Sequence, residues 1–374
     1  MIYADNAATT KLDKDAFEEM KAYLLEDYGN PSQPYFFSQK PKNALKNARD
    51  RIAKCINAEP EQIIFTSGGT ESDNWVIKNF GTPTEKKTII TSSIEHHAII
   101  NSCERVKKID RASVTYLPVD SKGIVSVKSL ERAFFDNKVI AGETTLVSVM
   151  LANNEIGTIQ DIKRLTEISH EKGALFHTDA VQAVGHIPID VEELGIDFLS
   201  ASAHKFNGPK GIGFLYNRNK ELSTFHDGGM QERGFRAGTE NVAAIVGMAK
   251  ALENNCKAIK ENAKHIQKLE ECLIKNISDL DFVRNGSDNR IPGNISLSFR
   301  GFEGEQILHR LDLMGICVST GSACDSVNTQ ISHVLKAIGI DEELAVGTIR
   351  ISLSKNNTEE EVIKISDALH KILL

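Results

Sequence analysis

The sequence predicts an α/β fold: a large domain on a mainly parallel sheet flanked by helices, joined to a smaller α+β domain. Three observations carry this. Short apolar, β-branched runs alternate with helical stretches through the first two-thirds of the chain, the pattern of buried parallel strands with helical crossovers. The last third changes to one long amphipathic stretch followed by shorter mixed elements. With 374 residues the chain is long enough for two cores. We bound the large domain at residues 15–257 and the small one at 1–14 with 258–374.

Taken in order, the strands read as residues 63–66, 88–91, 113–117, 145–151, 174–177 and 198–200. Each is rich in β-branched or aromatic residues and ends in polar loop formers. Ligands of open α/β sheets bind beyond the carboxyl ends of strands, so the loops after these runs are where chemistry is expected. Between Asn241 and about Ile277, Ile245, Met248, Leu252, Ile259, Ile266, Leu269 and Leu273 keep roughly one face. Gly247 is the only glycine there and proline is absent, so the stretch reads as one long helix, bent at most once, leaving the sheet domain. A strand over 294–299, a helix over about 304–314 and a strand over 347–353 follow. Thr358-Glu359-Glu360-Glu361 then opens a terminal helix, a threonine and three acids suiting its amide-rich start.

Composition narrows the function classes. Apolar content of 41% and charged content of 25% are those of a soluble globular protein. A net charge of −7 argues against a nucleic-acid binder, which would carry a basic face. No apolar run has bilayer length, and Met1-Ile2-Tyr3-Ala4-Asp5-Asn6 lacks the features of a signal peptide. The cysteines at 55, 103, 256, 272, 317 and 324 are scattered without a C-x-x-C pair. That disfavours a zinc site or a disulfide framework and points to a reducing cytoplasm.

The most informative residues are Lys205, in Ser202-Ala203-His204-Lys205, and Asp179, in His177-Thr178-Asp179-Ala180. A lysine amine forms a Schiff base with an aldehyde cofactor, and a buried carboxylate keeps a pyridine nitrogen protonated so that the ring takes up electrons. Those are the two protein groups that pyridoxal phosphate needs most. Thr66-Ser67-Gly68-Gly69-Thr70-Glu71 follows a strand and opens a helix, a setting for phosphate on free amides or an ordinary capped turn. No lysine follows its glycines at P-loop spacing, which disfavours a nucleotide. His96, in Glu95-His96-His97, is a candidate to stack on a planar cofactor and exchange protons, or a capping or core histidine. Asn153-Asn154-Glu155-Ile156-Gly157 is a polar site segment or a simple turn. Gln182 lies about one helical turn beyond Asp179.

Cys324 stands in Gly321-Ser322-Ala323-Cys324-Asp325-Ser326, among small polar residues without helix or strand periodicity. That reads as a mobile, exposed loop, where a reactive thiol needs to be, although an isolated cysteine is more often a small buried hydrophobe. Cys317, in Gly315-Ile316-Cys317-Val318, reads as structural.

Together these segments resemble the cysteine desulfurases of the NifS-like and IscS-like branch. The likeness runs from Tyr3-Ala4-Asp5-Asn6-Ala7-Ala8-Thr9-Thr10, through Arg236-Ala237-Gly238-Thr239-Glu240-Asn241, to Arg350-Ile351-Ser352, in family order. It implies the pyridoxal-phosphate transferase fold of type I and a homodimer with sites near the subunit interface. It further implies that Lys205 bonds the cofactor, Asp179 pairs with the ring nitrogen, His96 stacks on the ring, and Asn154 and Gln182 contact its substituents. Gly69, Thr70, Ser202 and His204 would hold the phosphate, with Thr239 from the partner subunit. Arg350, with Asn154, would bind the substrate L-cysteine through its carboxylate. Cys324 would take the sulfur as a persulfide, releasing alanine, and pass it to an acceptor protein for iron–sulfur cluster assembly or thiolation. No metal is implied. Another pyridoxal-phosphate enzyme of this fold, or a non-catalytic sulfur relay, is the competing reading. The chain departs from the family pattern at Gln33-Pro34-Tyr35-Phe36-Phe37, where relatives continue towards a histidine.

Overall fold

The computed structural model describes residues 1–81, 87–109, 112–136, 144–218, 220–320 and 331–374. A short strand, β1 (Ile2–Tyr3), opens the chain. The main sheet follows: β2 (Ile63–Thr66), β3 (Lys87–Ser92), β4 (Ser113–Leu117), β5 (Thr144–Ser148), β6 (Leu175–Asp179), β7 (Phe198–Ser202) and β8 (Gly213–Asn217). Their spatial order is β2-β8-β7-β6-β5-β3-β4, and every pairing is parallel except the two that β8 makes. Helices cover both faces, so these strands read as unbroken apolar runs and not as alternation.

Two expectations change. The strand read over 145–151 leaves the ladder at Ser148, because the Met150 amide turns to donate to Glu95 Oε1 at 2.9 Å. The chain still follows β6, with the Val149 and Leu151 amides bonded to the carbonyls of His177 and Asp179. The antiparallel β8 was not foreseen. Its apolar run is three residues, Phe214-Leu215-Tyr216, too short for periodicity to reveal, and all three are buried. Gly213 opens β8 because a Cβ there would stand 2.3 Å from the Ala201 carbonyl and 2.7 Å from Gly68 Cα. The strand therefore lies directly against the turn that begins the helix Gly69–Asn79.

The long helix spans Val242–Asn276, within a residue of the expected range at each end. Its first half sends Ile245, Met248 and Leu252 into the core under the main sheet. Its second half sends Ile266, Leu269 and Leu273 into a separate apolar cluster. That cluster lies against a three-stranded antiparallel sheet of β9 (Phe282–Arg284), β10 (Asn294–Phe299) and β12 (Thr348–Ser352), whose order is β12-β10-β9. Between β10 and β12 in the chain, β11 (Ile316–Cys317) pairs in parallel with β1. Gly247 in the long helix marks a close approach: a Cβ there would meet Met20 Cγ at 2.6 Å, on the helix Lys14–Leu25. The terminal helix Glu359–Leu373 begins with the capping box of Thr358 and Glu361.

Candidate active site

Three chain turns at the carboxyl end of the main sheet build the site. The first is Gly68-Gly69, between β2 and its helix. Gly68 has φ +154°, a conformation that side chains disfavour, and a Cβ on Gly69 would stand 2.4 Å from Val181 Cγ2. Two glycines thus bring the amide-rich start of the helix Gly69–Asn79 against the segment after β6. The second is the end of β6, which finishes on Asp179. The third is the 3₁₀ turn Ala203–Lys205, immediately after β7.

These turns enclose a cavity of about 290 Å³. Ten of the residues singled out from the sequence line it: Gly69, Thr70, His96, Asn154, Asp179, Gln182, Ser202, His204, Lys205 and Arg350. Thr239 does not; it lines a second cavity of about 220 Å³ with Ser67 and Arg236. Cys324 and the mobile loop expected around it lie outside the described residues.

Lys205 Nζ donates to the carbonyls of Ala7 and Ala8 at 2.6 and 2.8 Å. The same N-terminal segment grips the turn through Thr10, whose amide and hydroxyl both donate to the His204 carbonyl. Gln182 also donates to the Ala7 carbonyl, at 3.0 Å. Asp179 is 5% exposed and accepts the Val181 amide at 2.9 Å. Burial raises its pKa above the usual carboxylate value, against the pull of His96 and Lys205.

His96 both caps a helix and faces the cavity. Its Nδ1 accepts the Ala98 amide at 3.1 Å and so caps the helix His97–Ile109, while its ring lines the cavity. Burial lowers its pKa, so the neutral ring carries its proton on Nε2. His204 is pushed down to about 4 by burial and by Lys205. Glu95, buried beside them, is pushed up to about 8 by desolvation.

In the Asn-Asn-Glu segment the side chains divide the work. Asn153 holds the loop by donating to the Ile94 carbonyl and accepting the amides of Glu155 and Ile156. Asn154 lines the cavity, and its carbonyl accepts Arg350 Nη1 at 3.0 Å. Arg350, on β12 opposite Ser296, is 2% exposed and pairs through Nη2 with Asp5 Oδ1 at 2.8 Å. Its Nε is buried without a partner. Sequence reasoning missed Asp5, the carbonyls of Ala7 and Ala8, and Asp73, which also lines the cavity. For Asp73 the signal existed: Gly69, Asp73 and Val76 share one helical face.

These residues fit pyridoxal phosphate. The glycine turn leaves room for close approach of a phosphate to free amides, with Thr70, Ser202 and His204 beside it. A buried carboxyl that accepts one backbone amide is suited to a ring cation, and an amine stands on the same wall. Among the described residues, no group of three or more His, Cys, Asp or Glu is arranged to hold a metal ion.

Residues 2–365 match the family described as Aminotransferase class-V. The chain is 47% identical to a cysteine desulfurase IscS of Clostridium botulinum, over all of this chain and 94% of that protein. It is 45% identical to one of Methanosarcina thermophila, over all of this chain and 92% of that protein. Among solved structures, a NifS-like protein superposes with a TM-score of 0.91 at 39% identity, covering 100% of this chain and 99% of that one. A structure described as SspA in complex with cysteine gives 0.83 at 36% identity, covering 96% and 100%.

The Arg350–Asp5 pair yields a stability prediction. Asp5→Ala leaves a buried guanidinium without its charge partner, a loss of roughly 3–5 kcal/mol, read as a lower denaturant midpoint in equilibrium unfolding. An unchanged midpoint would show that the pair contributes nothing.

Proposed function

The chain belongs to the class-V aminotransferase family and is a pyridoxal-phosphate-dependent cysteine desulfurase, and from that premise we propose how its own residues divide the reaction. One observation carries the assignment: Lys205, Asp179 and Arg350 share one cavity with the Gly69 helix start. Bound there, pyridoxal phosphate supplies an aldehyde for amines and a ring that accepts the electrons left when a Cα proton departs.

Gly69, Thr70, Ser202 and His204 hold the phosphate, and Asp179 holds the proton of the ring nitrogen through its charge. His96, a neutral imidazole, would stack on the ring, and Asn154 and Gln182 would contact its substituents. Arg350, aided by Asn154, binds the carboxylate of L-cysteine through its guanidinium. Asp5 and the Asn154 carbonyl support this role, because two guanidinium nitrogens are already fixed by them. Lys205 takes the Cα proton, its amine being oriented by the Ala7 and Ala8 carbonyls. Cys324 attacks the substrate sulfur as the thiolate. An S–S bond forms, the C–S bond breaks with its electron pair left on the carbon side, and protonation there releases alanine.

The persulfide then passes to an acceptor protein that serves iron–sulfur cluster assembly or thiolation. The acting unit is a homodimer, in which each Thr239 serves its neighbour's phosphate. The separation of Thr239 from its own chain's Lys205 cavity supports this. We assign the cytoplasm as the compartment; among the described residues, no helix is long and apolar enough to cross a membrane. An aminotransferase of the same fold has no use for Cys324, and this separates the competing reading.

Cys324→Ala is expected to retain bound cofactor and its response to L-cysteine while sulfide release falls by orders of magnitude. Cofactor absorbance and sulfide assays check both; undiminished sulfide would reject the role of Cys324. Mixing Lys205→Ala chains with Thr239→Ala chains is expected to restore one working site per mixed dimer, measured as recovered sulfide production. No recovery would mean that each site is built within one chain.

A further inference from the structure

Asp73 belongs to the helix Gly69–Asn79, one turn beyond Gly69, and closes the cavity wall near Asp179. It is 1% exposed, and its Oδ1 has no hydrogen-bond partner. The basic group in reach is His177, whose Nε2 stands 3.7 Å from that oxygen. His177 offers no positive charge. It is wholly buried, its Nδ1 meets Ser148 Oγ at 2.9 Å and its Nε2 meets Ser200 Oγ at 3.0 Å. Desolvation pushes its pKa down to about 3.

The groups that face Asp73 come from four places. β6 presents His177 and Asp179, and β7 presents Ser200 within hydrogen-bonding reach. The turn after β3 presents Glu95, and on the far side the turn after β7 contributes Lys205, which lines the same cavity with His96 but is held on the Ala7 and Ala8 carbonyls. Two buried carboxyl groups therefore share one cavity wall, with a third, Glu95, behind it. Like charges that close in a low dielectric do not both ionise, and a buried carboxylate without a cation costs more than a buried acid. Desolvation first, and the charge of Asp179 second, both favour the protonated form of Asp73.

We propose that Asp73 is a positioning residue that stays a neutral carboxylic acid, leaving Asp179 as the one negative carboxylate facing the bound ring. The chain Ser148–His177–Ser200–Asp73 is then a run of uncharged hydrogen-bonding groups behind Asp179. One negative charge meets one ring cation, and the acid proton of Asp73 gives the network its terminal donor. This rests on the cofactor reading of the cavity, and the measurements below are independent of sulfur chemistry.

Three holoenzyme variants are compared: wild type, Asp73→Asn, and Asp73→Leu. An acid whose pKa is raised by folding keeps its proton in the native chain while the unfolded chain loses it above about pH 4. Wild-type stability then falls as pH rises, by a factor of about ten in the unfolding equilibrium per pH unit. Asparagine carries no such proton. Asp73→Asn is therefore expected to gain stability relative to wild type from pH 5 to pH 7, and to hold cofactor as tightly. Asp73→Leu, neutral but unable to hydrogen-bond, is expected to weaken cofactor affinity roughly fivefold, and asparagine at this position restores it. Infrared spectra of wild type labelled with ¹³C-aspartate are expected to show a protonated-carboxyl band at neutral pH that Asp73→Asn lacks. An Asp73→Asn protein that loses stability relative to wild type with rising pH, or unchanged cofactor affinity in Asp73→Leu, would overturn the proposal. So would absence of the infrared band from wild type, even if no variant folds. A protein that shows the band but makes no sulfide would instead refute the desulfurase reading alone.

Discussion

A carboxylate held out of water costs several kcal/mol unless a cation or a set of donors meets it, and Asp179 is such a group at the end of β6. The carboxyl accepts one backbone amide, and burial makes its charged form expensive. The strand that carries it is central in the main sheet, flanked by β5 and β7, and cannot retreat from the cavity. On the proposed reading, a ring cation brought against it would remove that cost and so turn a local instability into cofactor affinity. The lysine after β7, the glycine turn after β2 and the histidine after β3 all line the cavity with this carboxyl.

The second half of the chain serves the same point from the opposite side. The helix Val242–Asn276 packs one end into the main core and the other into the cluster against β10 and β12. β12 thereby brings Arg350 to the cavity, where Asp5 and the Asn154 carbonyl fix its guanidinium. The N-terminal segment ties the two halves together. Ala4 is buried in the second cluster, while Ala7 and Ala8 accept from Lys205. The placement of both Arg350 and Lys205 thus depends on one short N-terminal segment, which meets the guanidinium through Asp5 and the amine through Ala7 and Ala8.

What was legible in the sequence follows from the physics of each feature. Glycine turns, the isolated lysine and the carboxylate after an apolar run stood out because their residue types are unusual in those settings. Arg350 was recognised by resemblance, since one arginine in a strand has no distinguishing pattern. Asp5 and the carbonyls of Ala7 and Ala8 were hidden because backbone acceptors leave no mark on residue type. The reversed direction of β8 was equally hidden: a run of three apolar residues does not encode strand polarity. The helical face that Asp73 shares with Gly69 marks its position, but only the neutral histidine beside it gives its burial a meaning.

The account stands on Lys205 being the amine that holds the cofactor beside Asp179. Borohydride reduction of the holoenzyme, followed by mass mapping of its peptides, tests this most directly. The reduced cofactor is expected on the peptide containing Lys205, and Asp179→Ala is expected to lower its occupancy. Recovery of the label on Lys210, or the absence of any labelled lysine after reconstitution with pyridoxal phosphate, would contradict the account.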